Sequence, residues 1–252
     1  MLNHCEFRFY EELNDFLAPN LRKRSFAYGF NGTPAVKDPI EALGVPHTEV
    51  DLILVDGAPA AFPHRLRGGE RIAVYPVFES FELAGVTRLR PQPLREPRFV
   101  LDVHLGRLAS YLRLLGFDCL YRNDYRDAEL LAISHSEHRI LLSRDTALLK
   151  HSELTHGAFV HAQDPRRQLR EVLDRFQLHR RIALFSRCGR CNGSLSPLSA
   201  DAARALVPTA IARDHSDFKR CDQCGQVYWP GSHLPRLRDR LAEAGISLAG
   251  AP

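Results

Sequence analysis

Two sets of residues in this chain have the types and spacing to do chemistry, one sulfur and one carboxylate. Cys188-Gly-Arg-Cys191 and Cys221-Asp-Gln-Cys224 form two CxxC knuckles separated by 29 residues. Four thiolates at that spacing suit one tetrahedral Zn²⁺ in a ribbon. Because four sulfurs close the coordination sphere, such an ion would fold the C-terminal segment and perform no chemistry there. The competing reading, two redox or incidental thiol pairs, leaves the matching of the knuckles unexplained. Cys5 and Cys119 have no local partner, which suits a reducing compartment.

The carboxylates recur at one kind of place. Asp102 follows Phe99-Val100-Leu101, Asp124 and Asp127 follow Cys119-Leu120-Tyr121, Asp145 follows Ile140-Leu141-Leu142, and Asp164 follows Ala158-Phe159-Val160. If each apolar run is a strand of a parallel sheet, the acids collect at its carboxyl edge, where ligands of open α/β sheets bind. A hard-oxygen site of that kind suits Mg²⁺ or Mn²⁺, which can activate water and stabilise the leaving oxygen of a phosphodiester. Nuclease chemistry is the natural inference. Each aspartate also precedes a predicted helix, where a side-chain oxygen caps free N–H groups, so capping competes at every position. Asp127 is preferred to Asp124 because it directly precedes the Ala128-Glu129-Leu130-Leu131 helix, and Asp164 is either a further ligand or the cap before Pro165.

The elements that must position these residues follow from hydrophobic pattern. Residues 1–80 form a small α+β unit: Glu6 to Tyr10 alternates as a strand, Asp38 to Gly44 starts and stops as a short helix, and Val50–Val55 and Ile72–Phe78 are strands, with Asp56-Gly57 marking a turn. Residues 81–98 alternate Pro91, Pro93 and Pro97 with Arg88, Arg90, Arg95 and Arg98, the composition of an extended basic linker. Residues 99–180 alternate strands and helices, which implies a mostly parallel sheet covered by helices. One helix runs from about Val103 to Leu115, with Leu105, Leu108, Ala109 and Leu112 on one face and Gly116 ending it. Residues 181–252 hold the ribbon and a C-terminal helix.

Composition narrows the class. The 252-residue chain has a net charge of +4, and 30 of its 34 basic residues are arginines. Arginine favours bidentate phosphate contacts, although a high-GC genome enriches it as well. No apolar run is long enough to span a membrane and the first residues lack a signal-peptide pattern, so the expected location is the cytoplasm, with no membrane partner. Neither a G-x-S-x-G elbow nor a G-x-G-x-x-G or Walker motif occurs, which removes support for serine hydrolysis and nucleotide-cofactor binding.

Leu101-Asp102-Val103-His104-Leu105-Gly106-Arg107-Leu108, Tyr111 to Asp118, Arg139-Ile140-Leu141-Leu142-Ser143-Arg144-Asp145, the two knuckles and Val227-Tyr228-Trp229-Pro230-Gly231-Ser232-His233 together resemble the Mut7-C ribonuclease family. The likeness covers about Phe99 to Leu241. It implies an α/β PIN-like nuclease fold with a C-terminal zinc ribbon, in which acids and a divalent metal cleave RNA. By motif position those acids fall on Asp102, Asp127 and Asp145, with Ser143 where the family commonly has threonine. The N-terminal segment resembles the α+β ubiquitin-like β-grasp domain that often precedes Mut7-C. Gly44 to Asp51 and Gly69 to Phe78 are similar to small sulfur carriers, whose function needs a C-terminal Gly-Gly. Here Gly68-Gly69 is internal, so a turn is its ordinary explanation, and the β-grasp domain is left with an interaction or RNA-docking role.

Other residues have two readings. Tyr228, Trp229 and His233 either serve RNA, the two rings by stacking on bases and His233 by contacting phosphate, or pack on the ribbon. Arg107 and Arg113 either approach a nucleic-acid backbone or sit on a solvated helix face, the ordinary expectation. His135, His138, His151, His156 and His161 are too irregularly spaced for a metal cluster. The expectation is therefore a metal-dependent ribonuclease with structural Zn²⁺ and catalytic Mg²⁺ or Mn²⁺, acting on RNA. The alternative is a non-catalytic RNA-binding or adaptor protein that recruits a protein partner through the β-grasp domain.

Overall fold

A computed structural model describes residues 2–76, 97–231, 239, 241–243 and 245–246. The 81–98 linker and the C-terminal helix expected from the sequence lie largely outside these residues, as do Ser232 and His233. The N-terminal segment runs β1 (Asn3–Phe9), β2 (Phe26–Phe30), α1 (Lys37–Ala42), β3 (Val50–Val55), β4 (Ala58–Ala60) and β5 (Arg71–Pro76). The middle segment runs β6 (Phe99–Leu101), α2 (Gly106–Leu114), β7 (Cys119–Leu120), α3 (Asp127–Glu137), β8 (Ile140–Ser143), α4 (Thr146–Leu149), β9 (Gly157–Phe159) and α5 (Pro165–Arg175). Last come β10 (Leu195–Leu198), α6 (Ala200–Arg204), α7 (Thr209–Asp214), β11 (Phe218–Cys221) and β12 (Val227–Tyr228). By packing, the chain divides into one unit of residues 1–96 with 131–159 and a second of residues 97–130 with 160–252.

In the first unit, strict alternation in β1 sends Cys5, Phe7 and Phe9 inward and leaves Glu6 and Arg8 exposed. The sheet has the order β2-β1-β5-β3-β4, with β1 and β5 parallel and the other neighbours antiparallel. That mixed order with α1 packed over it is a β-grasp. Ile40 of α1 shares a buried cluster with Phe7, Phe9, Val50 and Ile53, each fully buried, and every such side chain contributes about 1.5–3 kcal/mol. Asp56 and Gly57 have φ of 50° and 83°, the pair of positive values that a tight type I′ connection between β3 and β4 demands.

Residues 131–159 belong to this first unit because the turn His47–Glu49, buried at all three positions, docks on them. Thr48 Oγ1 donates to the Leu149 carbonyl at 3.3 Å, and Glu49 Oε1 accepts the Phe159 N–H at 2.6 Å. His47 Nε2 donates to the Leu154 carbonyl at 3.0 Å, and Lys150 Nζ donates to the Glu41 carbonyl at 2.8 Å. Phe16 meets the Phe159 ring edge-on at 5.2 Å. Within this stretch β8 and β9 pair in parallel, and all four residues of β8 are buried. The apolar run Ile140-Leu141-Leu142, closed by the small buried Ser143, suits a parallel strand covered on both faces.

The second unit contains the parallel pair β6 and β7, with α2 packed on α5 and the Phe99 ring edge-on to Phe176 at 5.5 Å. Leu105, Leu108, Ala109 and Leu112 are all buried, as their helical spacing predicts. The helix expected from Val103 begins later: Val103–Leu105 is a 3₁₀ turn, and α2 starts at Gly106. The ribbon is the antiparallel sheet β10-β11-β12, whose small core is Ala203, Phe218 and Val227. Trp229 packs against that core. Among the described residues no helix is long and apolar enough to cross a membrane.

Candidate functional site

Each acid has its own surroundings. Asp102 immediately follows β6 and is 6% exposed, at the head of the 3₁₀ turn that leads into α2. Asp127 is exposed and is the first residue of α3. Asp145 lies two residues beyond β8 and caps α4: its Oδ1 accepts the N–H groups of Ala147 at 2.7 Å and Leu148 at 3.4 Å. Its other oxygen accepts no hydrogen bond among the described residues, so capping and metal ligation do not compete for the same atom. Ser143 Oγ in turn accepts the Asp145 N–H at 2.9 Å, which fixes the backbone that presents the carboxylate.

Asp124 is differently placed. Both of its oxygens are taken by Arg122, Nε to Oδ1 at 2.9 Å and Nη2 to Oδ2 at 2.7 Å, and the hydrogen bonds from this guanidinium hold its carboxyl below the usual range. Ligation of a metal at Asp124 would first have to break this exposed bidentate pair. Asp164 caps α5, with Oδ1 accepting the N–H groups of Arg166 at 3.0 Å and Arg167 at 3.2 Å. Burial pushes its carboxyl upward, but those two amides and the Arg166 side chain outweigh it and hold the group low. Asp102 and Asp127 belong to the second unit and Asp145 to the first.

The cysteines do come together. The ligand atoms of Cys188, Cys191, Cys221 and Cys224 all lie within 4.8 Å of one another, the one such group able to hold a metal ion among the described residues. The Sγ atoms of Cys188 and Cys224 are 3.6 Å apart and those of Cys191 and Cys221 3.4 Å. Metal–sulfur bonds of about 2.3 Å set at tetrahedral angles place sulfurs about 3.8 Å apart, so the donor set fits one ion. Burial pushes the Cys188 thiol upward, yet the Tyr228 hydroxyl and the Cys191 and Arg190 N–H groups outweigh it and hold it at about 6. Donors aimed at that sulfur favour a thiolate.

The knuckle is anchored to the α/β elements of its own unit by polar contacts that local patterning does not reveal. Asn192 Oδ1 accepts the Cys119 N–H at 3.0 Å while its Nδ2 donates to Asp118 Oδ1 at 2.8 Å. Arg187 Nη2 lies 3.4 Å from the other Asp118 oxygen. Arg113 overturns the expectation of a solvated helix face: it is 5% exposed, and its guanidinium donates to the carbonyls of Cys119 at 2.8 Å, Arg190 at 2.9 Å and Tyr121 at 3.4 Å. Its place four residues after buried Ala109 was the available signal, since an arginine there must either break the apolar face or find acceptors. His135, His138 and His151 are exposed, and among the described residues no histidine joins a metal-holding group.

A β-grasp sheet followed along the chain by an α/β domain and a cluster of four cysteines placed to hold one metal ion defines the class of protein. Residues 97–241 match the Mut7-C RNAse domain, and residues 2–82 match the Mut7-C ubiquitin domain. The chain belongs to the Mut7-C RNAse domain family and carries that family's ubiquitin-like N-terminal part. Among solved structures it is similar to the crystal structure of H. volcanii small archaeal modifier protein 1, with 20% identity over 29% of this chain and 97% of that one and a TM-score of 0.24. No curated protein matches the chain.

Proposed function

We propose that the chain is a metal-dependent ribonuclease that hydrolyses RNA phosphodiester bonds in the cytoplasm. Asp102, Asp127 and Asp145 are its Mg²⁺- or Mn²⁺-binding acids, and Cys188, Cys191, Cys221 and Cys224 hold a structural Zn²⁺. The observation that carries this reading is the RNAse-domain match over residues 97–241, which contains all seven of these residues. A divalent ion held by carboxylates supplies an activated water and charge stabilisation for the leaving oxygen. The chain's own contribution is to fix the acids. Asp102 is buried at a strand end, Asp127 stands exposed at a helix start, and Asp145 is oriented through the oxygen that caps α4. The rival reading is a non-catalytic RNA-binding platform, in which the same carboxylates serve only as caps and turns.

The test is cleavage of end-labelled single-stranded and hairpin RNA by the purified full chain with Mn²⁺, Mg²⁺ or EDTA, beside Asp102→Asn and Asp145→Asn of unchanged zinc content. The expected result is cleavage that needs the divalent ion and falls at least about a hundredfold in each variant. Asparagine caps a helix as well as aspartate does, so Asp145→Asn separates ligation from folding. Absence of cleavage by folded, zinc-loaded protein, or cleavage that survives both substitutions, would transfer the assignment to the binding platform.

A further inference from the structure

The second unit contains a cleft of about 720 Å³ that the acids do not account for. Its walls come from the start of α2, the chain just after β7, the start of α5, and the first cysteine knuckle. His104, Arg107, Arg113, Arg122 and Arg190 line it, and among the described residues that do so none is acidic. Arg122 is neutralised from outside by Asp124. Arg107 and Arg190 are exposed and make no ion pair among the described residues.

Arg113 is the second, independent sign. It is 95% buried, lines the cleft, and meets only carbonyl oxygens, with no carboxylate in ion-pair reach among the described residues. Full burial of a guanidinium without a counter-charge is costly, and an anion in the cleft would supply one. The nine-residue helix α2 adds its positive N-terminal end at Gly106, which also lines the cleft. His104 stands two residues after Asp102, so the chain carries the lining of the cleft to within about 7 Å of that acid's backbone.

We infer that this cleft is the backbone-phosphate subsite for a single-stranded RNA. Arg107 and Arg190 contact phosphates, and Arg113 is the fixed charge behind them. The inference rests on the ribonuclease reading for the identity of the strand. It gives the cysteine knuckle a second role: Arg190 lies between Cys188 and Cys191, and its carbonyl is held by Arg113, so the metal fixes one wall of the cleft. Several arginines and a helix end in an open groove suit a polyanionic strand better than a lone small anion.

The experiment measures binding of a labelled single-stranded RNA by the full chain in the Asp145→Asn background, across a salt series, with zinc content and unfolding midpoint as fold controls. Adding Arg107→Ala and Arg190→Ala together should weaken binding at least about tenfold and lower the slope of log K against log salt by about 1.4, or about 0.7 per lost phosphate contact. The Arg107→Lys and Arg190→Lys pair keeps the charges and should keep the slope. Arg180→Ala, an exposed arginine away from the cleft, should change neither quantity. Unchanged affinity and slope in the double alanine variant, or no RNA binding at low salt, would overturn the inference. If Asp145-intact protein cleaves RNA while the double variant binds normally, the cleft assignment falls and the nuclease reading stands. If binding collapses as expected and cleavage is absent, the cleft stands and the nuclease reading falls.

Discussion

Arg113 should hold the metal knuckle in place, and Arg113→Met tests this with little change in side-chain length or helix propensity. Of its three hydrogen bonds, those to Cys119 and Arg190 are short, at 2.8 and 2.9 Å, while the Tyr121 contact at 3.4 Å adds little. A hydrogen bond from a charged donor contributes about 1.5–3 kcal/mol, so the two short ones sum to about 3–6 kcal/mol. Removing the buried charge refunds part of that, leaving a net loss of about 3 kcal/mol. The single tryptophan of the chain, Trp229, packs on the ribbon core and reports its unfolding directly by fluorescence in urea. Zinc release to a chromophoric chelator gives a second readout, expected to show about 10–100-fold weaker binding because the carbonyl that orients the knuckle is no longer held. Arg107→Met, exposed on the same helix, should stay within about 0.5 kcal/mol of the parent. Were Arg113→Met no more destabilised than Arg107→Met, with zinc release unchanged, the buried guanidinium would not be what couples α2 to the knuckle.

Removal of the metal should unfold the ribbon outright. Its fully buried apolar core is only Ala203, Phe218 and Val227, too small to order the segment from Cys188 to Trp229 without a metal cross-link. Cys221→Ser, or a zinc chelator, is therefore expected to make this segment protease-sensitive and to shift Trp229 emission to the red, and retention of the native emission without metal would contradict the account. Glu70 gives a pH-dependent outcome. Burial pushes its carboxyl upward, but the Cys5 thiol and the Arg67 and Gly68 N–H groups outweigh it and hold it at about 2, while the same burial and the Glu70 contact push Cys5 up to about 11. A depressed folded pKa stabilises fully above the unfolded carboxylate value of about 4.3 and is lost as pH falls toward 2. Glu70→Gln should be less stable than the parent at pH 6, with the gap closing between about pH 4 and pH 2, and a gap independent of pH would refute the linkage.

Local pattern carried much of the architecture. Alternation exposed β1, and the wholly apolar Ile140-Leu141-Leu142 exposed β8. The paired CxxC spacing placed four sulfurs in one cluster. The internal Gly68-Gly69 is the expected turn, with φ of 105° and 91° and the Glu70 carboxylate bonded back to the Arg67 and Gly68 amides. β4 was missed because Ala58-Pro59-Ala60 is an edge strand with no apolar face to signal it. The docking of the His47–Glu49 turn on residues 149–159 was missed for a different reason. Glu49 and Phe159 are 110 residues apart, and a buried glutamate that finds its donor in a distant backbone leaves no periodic trace.

The aspartates mark where sequence reasoning must stop, and why. A carboxylate placed after a strand and before a helix satisfies the requirements of a cap and of a metal ligand equally, because both call for a short acidic side chain at the same position. What separates them is which oxygen is occupied, and that is a property of geometry alone. Asp124 has both oxygens committed to Arg122, so ligation there would first break a bidentate pair. Asp145 commits one oxygen to two amides and leaves the other open, so the cap orients a potential ligand and does not consume it. The two readings that compete for Asp145 on the page of the sequence are therefore compatible in the fold, and Asp145→Asn, which preserves the cap while removing the charge, is the substitution that tells them apart.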